Sequence, residues 1–470
     1  MTDRTAIVEN AKYLREVRPI DPEEIYEYVP ERPHPAVVRQ VLREEAVSLG
    51  LRERSDGTFV PVESSPPSPT VEPIDSFPDR YTRRLESLLV DRYGPDWPEG
   101  DSGDDLRDAI DRLKDAYYRQ TDVEYDEVAA LAYAIYHLPD YYAAAGHLFG
   151  RLARAKRLNR CLRVLDVGAG VGGPAAAVAE LLGDEAVVEY HAVEPSPAAA
   201  VLAELREAFP RNVRLSIHRT TAESFDPDGP YDVILFANVL NELDDPVGVL
   251  RTYLPYLADD GSLITIAPAD RNTSISLRTY ERAVVDDGSA TVYFPTVRLW
   301  PHEQPSDQCW SFDVRDDIAV PPFQRRLQDA APGGEGGRYV NVDVQYSPAV
   351  FRTDGERAVD FSPDRSRFAK LAASRDAVTE RIDAVAIKLS HDLTDDPDAN
   401  PLYLVGDGSQ SVDHYAVLTR ETGLNRDLRT AAYGDLLLFD GVLVLWNDDE
   451  GAINLVVDAG PADGSPASLG

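Results

Sequence analysis

Residues 165–194 place one carboxylate before a run of glycines and a second carboxylate after the following apolar stretch. The segment LDVGAGVGGPA carries Asp166, Gly168, Ala169, Gly170 and Gly172. A buried strand would deliver Asp166 to its C-terminal end. The glycines would then allow a tight turn and close approach of a ligand to the backbone, and the helix that follows would offer free N–H groups at its positive end. Glu194 ends the next strand, VVEYHAVEPS, 24 residues after Gly170. A carboxylate at that edge can accept two hydrogen bonds from the vicinal hydroxyls of a ribose.

Two cofactors suit such a pocket. Gly168, Gly170 and Gly173 satisfy G-x-G-x-x-G, so a nicotinamide or flavin dinucleotide is one candidate. S-adenosylmethionine is favoured by three details: Asp166 two residues before the first glycine, the mid-chain position behind a helical segment, and the strand YDVILFAN running into VLNELDD. A Rossmann unit with no ligand is the third reading. Thr221, Ala222 and Glu223 follow the third strand, where an adenine contact often sits; for Glu223 the alternative is a solvated loop charge. Asn238 follows the fourth strand and serves either the site or a backbone turn. No N-P-P-Y-like turn occurs there, which disfavours methylation of an exocyclic base nitrogen. A sulfonium donor is already activated, so alignment supplies much of the catalysis and no catalytic residue is assigned. His302 and Cys309 lie within nine residues of one another, but one cysteine does not make a metal site, and no metal is expected.

The elements that must position these residues alternate strand and helix from about 158 to 355. Strands read at 163–167, 187–193, 213–219, 231–238 and 261–267, and helices at 173–182, 196–209 and 246–257, with 339–352 a final strand or pair. Near-continuous apolar strands alternating with helices predict an α/β fold with a parallel, doubly covered sheet. Residues 271–338 carry no clear pattern. Ahead of this core, 1–62 reads as helix, helix, hairpin around Ser55-Asp56-Gly57, a winged-helix-like module; 63–78 reads as a Pro/Ser-rich linker; and 79–157 as helical. Tyr133, Tyr136, Tyr141 and Tyr142 there either pack helices or line a substrate mouth. Strand-rich 375–460 resembles the OB-like β-barrels of single-strand-binding proteins, and 461–470 reads as a disordered tail.

Composition bounds the partners. The 470 residues hold 82 acidic and 47 basic side chains, a net charge of −35, and only five of the basic ones are lysine. That balance fits a protein working in a cytosol at molar salt, where charge repulsion is screened within about 3 Å. No run of about 18 apolar residues predicts a membrane span. The N-terminus lacks a basic and an apolar leader region, so a cytoplasmic location is expected. The two cysteines, Cys161 and Cys309, predict no disulfide framework.

Taken together, YDEVAALAYAIYHLPDYYAAA, LDVGAGVGGPAAAVAE, FANVLNEL, the P-H-E…C-W-S-F block and QYSPAVFR resemble the ribosomal small-subunit-associated methyltransferase-like family, known from mitochondria and with prokaryotic relatives, over roughly 125–355. The resemblance implies a class I methyltransferase fold, S-adenosylmethionine binding, and a role on the small ribosomal subunit or its RNA, as an enzyme or as an assembly scaffold. A small-molecule methyltransferase is the alternative. Relatives hold an iron–sulfur cluster on a cysteine set; here only Cys309 accompanies Pro301, His302 and Glu303, so no such cluster is expected. Where relatives show an E-P-G-T-like turn, this chain has Ala267-Pro268-Ala269-Asp270.

Overall fold

The computed structural model describes residues 4–458 except 31, 64, 68–73, 120, 122–124, 301–309, 334–335 and 397. His302, Cys309 and the tail from 459 lie outside the described residues.

The chain begins with helices α1 (Arg4–Leu14), α2 (Pro22–Tyr28), α3 (Pro35–Glu44) and α4 (Ala46–Leu49), then strands β1 (Leu51–Glu53) and β2 (Phe59–Pro61). Three long helices follow: α5 (Asp79–Tyr93), α6 (Gly100–Arg119) and α7 (Glu127–Arg154). The alternating core runs β3 (Cys161–Val167), α8 (Gly173–Leu182), β4 (Val187–Val193), α9 (Ala198–Leu205), β5 (Val213–His218), β6 (Tyr231–Ala237), α10 (Pro246–Tyr253) and β7 (Leu257–Pro268). The stretch without a clear sequence pattern holds α11 (Arg271–Val285), β8 (Thr291–Phe294), β9 (Asp313–Arg315) and α12 (Pro322–Asp329), before β10 (Val344–Arg352). The chain ends with β11 (Arg381–Lys388), β12 (Leu402–Gly406), β13 (His414–Leu418), α13 (Asp427–Thr430), β14 (Leu436–Asn447) and β15 (Ala452–Val457).

Two compact units divide these elements. The first comprises residues 1–237, 256–261 and 316–344; the second comprises 238–255, 262–315 and 345–470. In the first, β3 lies between β4 and β6, with β5 outside β4, and every pairing is parallel. In register, Asp166 stands beside Ala192 on one side and Leu235 on the other. This is an α/β arrangement built on a parallel sheet, as the sequence predicts. The N-terminal module is a helical group on a two-stranded hairpin, with Ile7, Ile20, Ile25, Val38, Leu42 and Phe59 as its buried centre. Helix α1 was not foreseen from sequence. The linker reading covers residues that pack: Ile74 and Phe77 are buried.

In the second unit, β10 runs antiparallel to both β7 and β8. The C-terminal strands close into a five-stranded barrel in the order β11-β12-β13-β15-β14, with β13 parallel to β15. Its predicted turn is present: Gly408 has φ +82, and the buried Asp407 accepts hydrogen bonds from Trp300 Nε1 at 2.6 Å and from the Leu371 and Ser409 N–H groups.

One feature of the first unit sets the geometry near the glycines. Pro139 lies inside α7, where it has no N–H to give the Ile135 carbonyl four residues earlier. Gln324 of α12, fully buried, supplies the missing donor: its Nε2 lies 2.8 Å from the Ile135 oxygen and 3.2 Å from that of Tyr136. The same side chain accepts the Asn341 N–H through Oε1. An interrupted helix is thereby satisfied by a residue nearly 190 positions away. Gln324→Leu is expected to cost more than about 2 kcal/mol, because it leaves buried carbonyls and an N–H unpaired at about 1–3 kcal/mol each. Restoring an N–H with Pro139→Ala should recover at least about 1 kcal/mol more in the Gln324→Leu background than in the wild type. Urea melts of the four proteins check this; additive effects would count against the assignment.

Candidate functional site

The loop between β3 and α8 turns on three residues with positive φ: Gly168 at 76°, Gly170 at 53° and Gly172 at 90°. Those values lie in the region that L side chains rarely adopt, so the glycines are required by backbone geometry. At Gly172 a Cβ would also run into Leu202 Cδ1. Gly173 meets a different constraint. A Cβ there would lie 2.9 Å from Tyr141 Cβ and 3.0 Å from the Tyr142 nitrogen, so its absence lets α8 approach α7 closely.

The loop is fastened to the end of β4. The Gly168 and Ala169 N–H groups donate to the Val193 carbonyl at 2.9 and 3.1 Å. The Gly170 N–H donates to Glu194 Oε2 at 2.8 Å, while Glu194 Oε1 accepts the Ser196 N–H at 2.8 Å. Glu194 is 7% exposed. It thus stands at the hinge, as expected, but sequence reasoning missed that both its oxygens are already engaged by backbone donors. Each oxygen keeps a further lone pair.

Asp166 lies beneath the loop with no solvent exposure. Its Oδ2 accepts the Tyr190 hydroxyl at 2.7 Å, and its Oδ1 has no hydrogen-bond partner. Burial pushes its carboxyl up to about 7; the Tyr190 bond opposes the shift and the Glu194 charge adds to it. Tyr190 was not foreseen, although it stands on the neighbouring strand two residues before Asp166's register partner Ala192, on the same face of the sheet.

The other residues fall as follows. Glu194 N–H donates to the His218 carbonyl, so the loop after β5 starts beside Glu194. In that loop Ala222 is buried, while Thr221 and Glu223 are exposed, with the Thr221 hydroxyl on Ser224 at 3.2 Å. Asn238 falls in the second unit. It holds a left-handed backbone, φ 56°, and donates its N–H to the Ile266 carbonyl, which is the turn role of the two its sequence position allows. Of the tyrosines, Tyr142 is helix packing, buried edge-on against Phe77. Tyr133 and Tyr141 instead reach the glycine loop, with Tyr133 Cε1 3.9 Å from the position of a Gly170 Cβ. Between them lies His137, its ring 5.0 Å from each.

These residues fit an adenosyl sulfonium. The turn admits a ligand only where side chains are missing. Glu194 retains acceptor capacity at the loop's edge, and the buried Asp166 carboxyl supplies negative potential below it when ionised. Among the described residues no group of three or more His, Cys, Asp or Glu could hold a metal, and Cys161 is a free thiol. No helix is long and apolar enough to cross a membrane.

Comparison with known families agrees with this geometry. Residues 165–263 match the family described as "Methyltransferase domain", 4–55 match the N-terminal domain of a domain of unknown function, DUF8157, and 372–462 match that family's C-terminal domain. The sequence has no significant match among curated proteins. Among solved structures it is similar to the plantazolicin methyltransferase BpumL in complex with SAH, at 12% identity and TM-score 0.28 over 58% of this chain and 98% of that one. It is also similar to the CcbJ methyltransferase from Streptomyces caelestis, at 25% identity and TM-score 0.24 over 28% and 55%. A SAM-dependent methyltransferase from Aquifex aeolicus aligns at 17% identity and TM-score 0.24 over 28% and 73%. The glycine turn, Asp166 and Glu194 thus fall in the stretch that matches a methyltransferase domain.

The buried Asp166 makes a pH signature. Its pKa is raised on folding, so the native state holds a proton that the unfolded chain has released, and this contribution to stability is lost as pH rises from about 4 to about 7. Relative to wild type, Asp166→Asn should flatten the fall in unfolding free energy across that window by an amount on the order of a few kcal/mol. Paired urea melts at the two ends of the window measure it; an unchanged pH slope would refute the assignment.

Proposed function

We propose that this protein is an S-adenosylmethionine-dependent methyltransferase whose acceptor belongs to the small ribosomal subunit or its RNA. One observation carries the enzymatic part: the glycine turn stapled by Glu194 to the end of β4, with spare acceptor capacity at its opening. In this reading Gly168, Ala169, Gly170 and Gly172 let the donor lie against the backbone, and Glu194 takes the ribose hydroxyls. Thr221, Ala222 and Glu223 border the adenine, and Asp166 supports the loop from below. When bound, the cofactor supplies an electrophilic methyl group. The chain's own part is to orient the acceptor and exclude water.

The ribosomal part rests on the sequence resemblance and on the flanking modules. A closed barrel with a helical turn between its third and fourth strands, and N-terminal helices followed by a hairpin, support reading the two modules as OB-like and winged-helix-like. Their charge is unusual for that role. The β11–β12 connection carries Asp392, Asp395, Asp396 and Asp398, and the β14–β15 turn Asp448, Asp449 and Glu450. Loops so acidic would meet RNA phosphates only under strong screening, which suits a salt-rich cytosol. The same acidity favours a second reading, a small-molecule methyltransferase with the tyrosine-lined helix at its mouth.

Calorimetry should record binding of S-adenosylmethionine and none of NAD. Glu194→Gln should weaken the donor about 10- to 100-fold, the loss of charge-assisted bonds worth about 1.5–3 kcal/mol. Tritiated donor with small subunits at molar salt then separates the readings: label in subunit RNA or protein supports the ribosomal acceptor, and label only in the small-molecule fraction supports the second. Donor binding without any transfer would leave a scaffold of the same fold.

A further inference from the structure

His137 stands in a polar arrangement more constrained than helix packing requires. It lies two residues before Pro139, and its side chain is 25% exposed. Its Nδ1 is 3.4 Å from Asp140 Oδ2; Asn341 Nδ2, 3.2 Å from the same nitrogen, can only donate, so when Nδ1 carries the proton the amide's hydrogen bond goes to Asp140 and holds that carboxylate against the ring. Asp140 is mostly buried, its side chain 13% exposed. Burial raises its pKa, against which His137 and the Asn341 amide pull it down. Its Oδ1 lacks a partner. Asn341 is in turn fixed through its backbone, donating to Gln324 Oε1 at 3.1 Å and accepting from Gln324 Nε2 at 3.3 Å. The residue that repairs the helix break therefore also locates the amide beside the imidazole. Among the described residues, Nε2 of His137 has no protein partner. The ring stacks on Tyr141 at 21° and tilts against Tyr133, the two tyrosines that reach Gly173 and Gly170.

We propose that His137 is the proton acceptor of the methyl transfer, with Asp140, Asn341 and Gln324 as the residues that position it. This rests on the methyltransferase reading and deepens it. The acceptor class that needs such a group is a planar molecule bearing a hydroxyl or neutral N–H. The aromatic faces of Tyr133 and Tyr141 suit its ring, and its proton must leave as the bond to carbon forms. His137 Nε2 takes that proton, the acceptor's electron pair forms the bond to the methyl carbon, and the sulfur leaves with the pair of the broken carbon–sulfur bond. The imidazolium, stabilised by the Asp140 carboxylate, then returns the proton to water.

The first test needs no acceptor. Long-range nitrogen NMR on the imidazole-labelled full chain, alone and with S-adenosylhomocysteine, should show His137 protonated at Nδ1 and unprotonated at Nε2, with Asp140→Asn abolishing that preference. The opposite tautomer in the wild type overturns the proposal, whether or not an acceptor has been found. The second uses tritiated S-adenosylmethionine and a desalted extract of the source cells as the acceptor pool. His137→Ala and the volume-keeping His137→Gln should lose about 100-fold in label transfer. Donor affinity by calorimetry should stay within about twofold, and added imidazole should restore part of the His137→Ala activity. Transfer by His137→Gln close to wild type, or no response of His137→Ala to imidazole, would sink the idea. A wild-type chain that binds no donor would refute the methyltransferase reading instead, and the tautomer would still decide for or against a poised imidazole.

Discussion

The site depends on a short backbone path that side chains would obstruct. Between Val167 and Gly173 the chain must leave a buried strand, reverse, and start a helix pressed against α7. It does so through left-handed turns at Gly168, Gly170 and Gly172. A turn of this kind is entropically expensive, since glycine loses more freedom on ordering than any other residue. The hydrogen bonds to Val193 and Glu194 offset that cost by tying the loop to the adjacent strand. Glu194 therefore has a structural task before any ligand arrives: its charge satisfies the Gly170 N–H and, through Ser196, the turn that leads into α9. A charge-assisted bond of that type is stronger than a neutral one, which makes the loop's shape less dependent on the cofactor.

Two buried carboxyls lie close to this loop in the first unit, and they are held differently. Asp166 has one phenol partner and no cation within reach, so neutralisation is its cheapest state up to about neutral pH. Asp140 has an imidazole and an amide, each of which favours its charged form against burial. The first arrangement quiets a charge beneath the turn; in the second, burial still raises the carboxyl's pKa, but an imidazole and an amide stand beside it to oppose that shift. A carboxylate beside a histidine gains most when that histidine is protonated.

Much of the core was legible because its determinants are local. Apolar runs broken by glycine specify parallel strands and turns, and the register that places Asp166 and Glu194 on adjacent strand ends follows from them. The hairpin at Ser55-Asp56-Gly57 and the barrel turn at Asp407-Gly408 were equally readable, since each turn type needs its glycine. What could not be read is non-local. Nothing around Gln324 announces that it completes a helix broken at Pro139, and nothing around Asn341 points to His137. The one available signal was the proline itself, in the middle of the helical pattern AIYHLPDYY, which demands a donor from elsewhere. Residues 271–338 were opaque for a related reason. Their helices and strands are short or amphipathic only relative to partners distant in sequence, as Ser274 is to Ser311 and Ser347 in a buried hydroxyl cluster.

The placement of polar groups along α7 gives the helix break its meaning. A continuous helix would bond the Ile135 carbonyl internally and leave no vacancy for Gln324. Proline creates a vacancy that only a buried donor can fill, so the segment bearing Gln324 and Asn341 must dock in one register. That docking fixes the amide against His137 and Asp140 to within hydrogen-bond distance, on the stretch of α7 whose tyrosines touch the glycine turn. A catalytic imidazole built on an uninterrupted helix would have only its own side-chain rotamers to hold it. Here the helix defect supplies the constraint, because any slip of the ring away from Asp140 also disturbs a bond network that keeps two buried carbonyls satisfied.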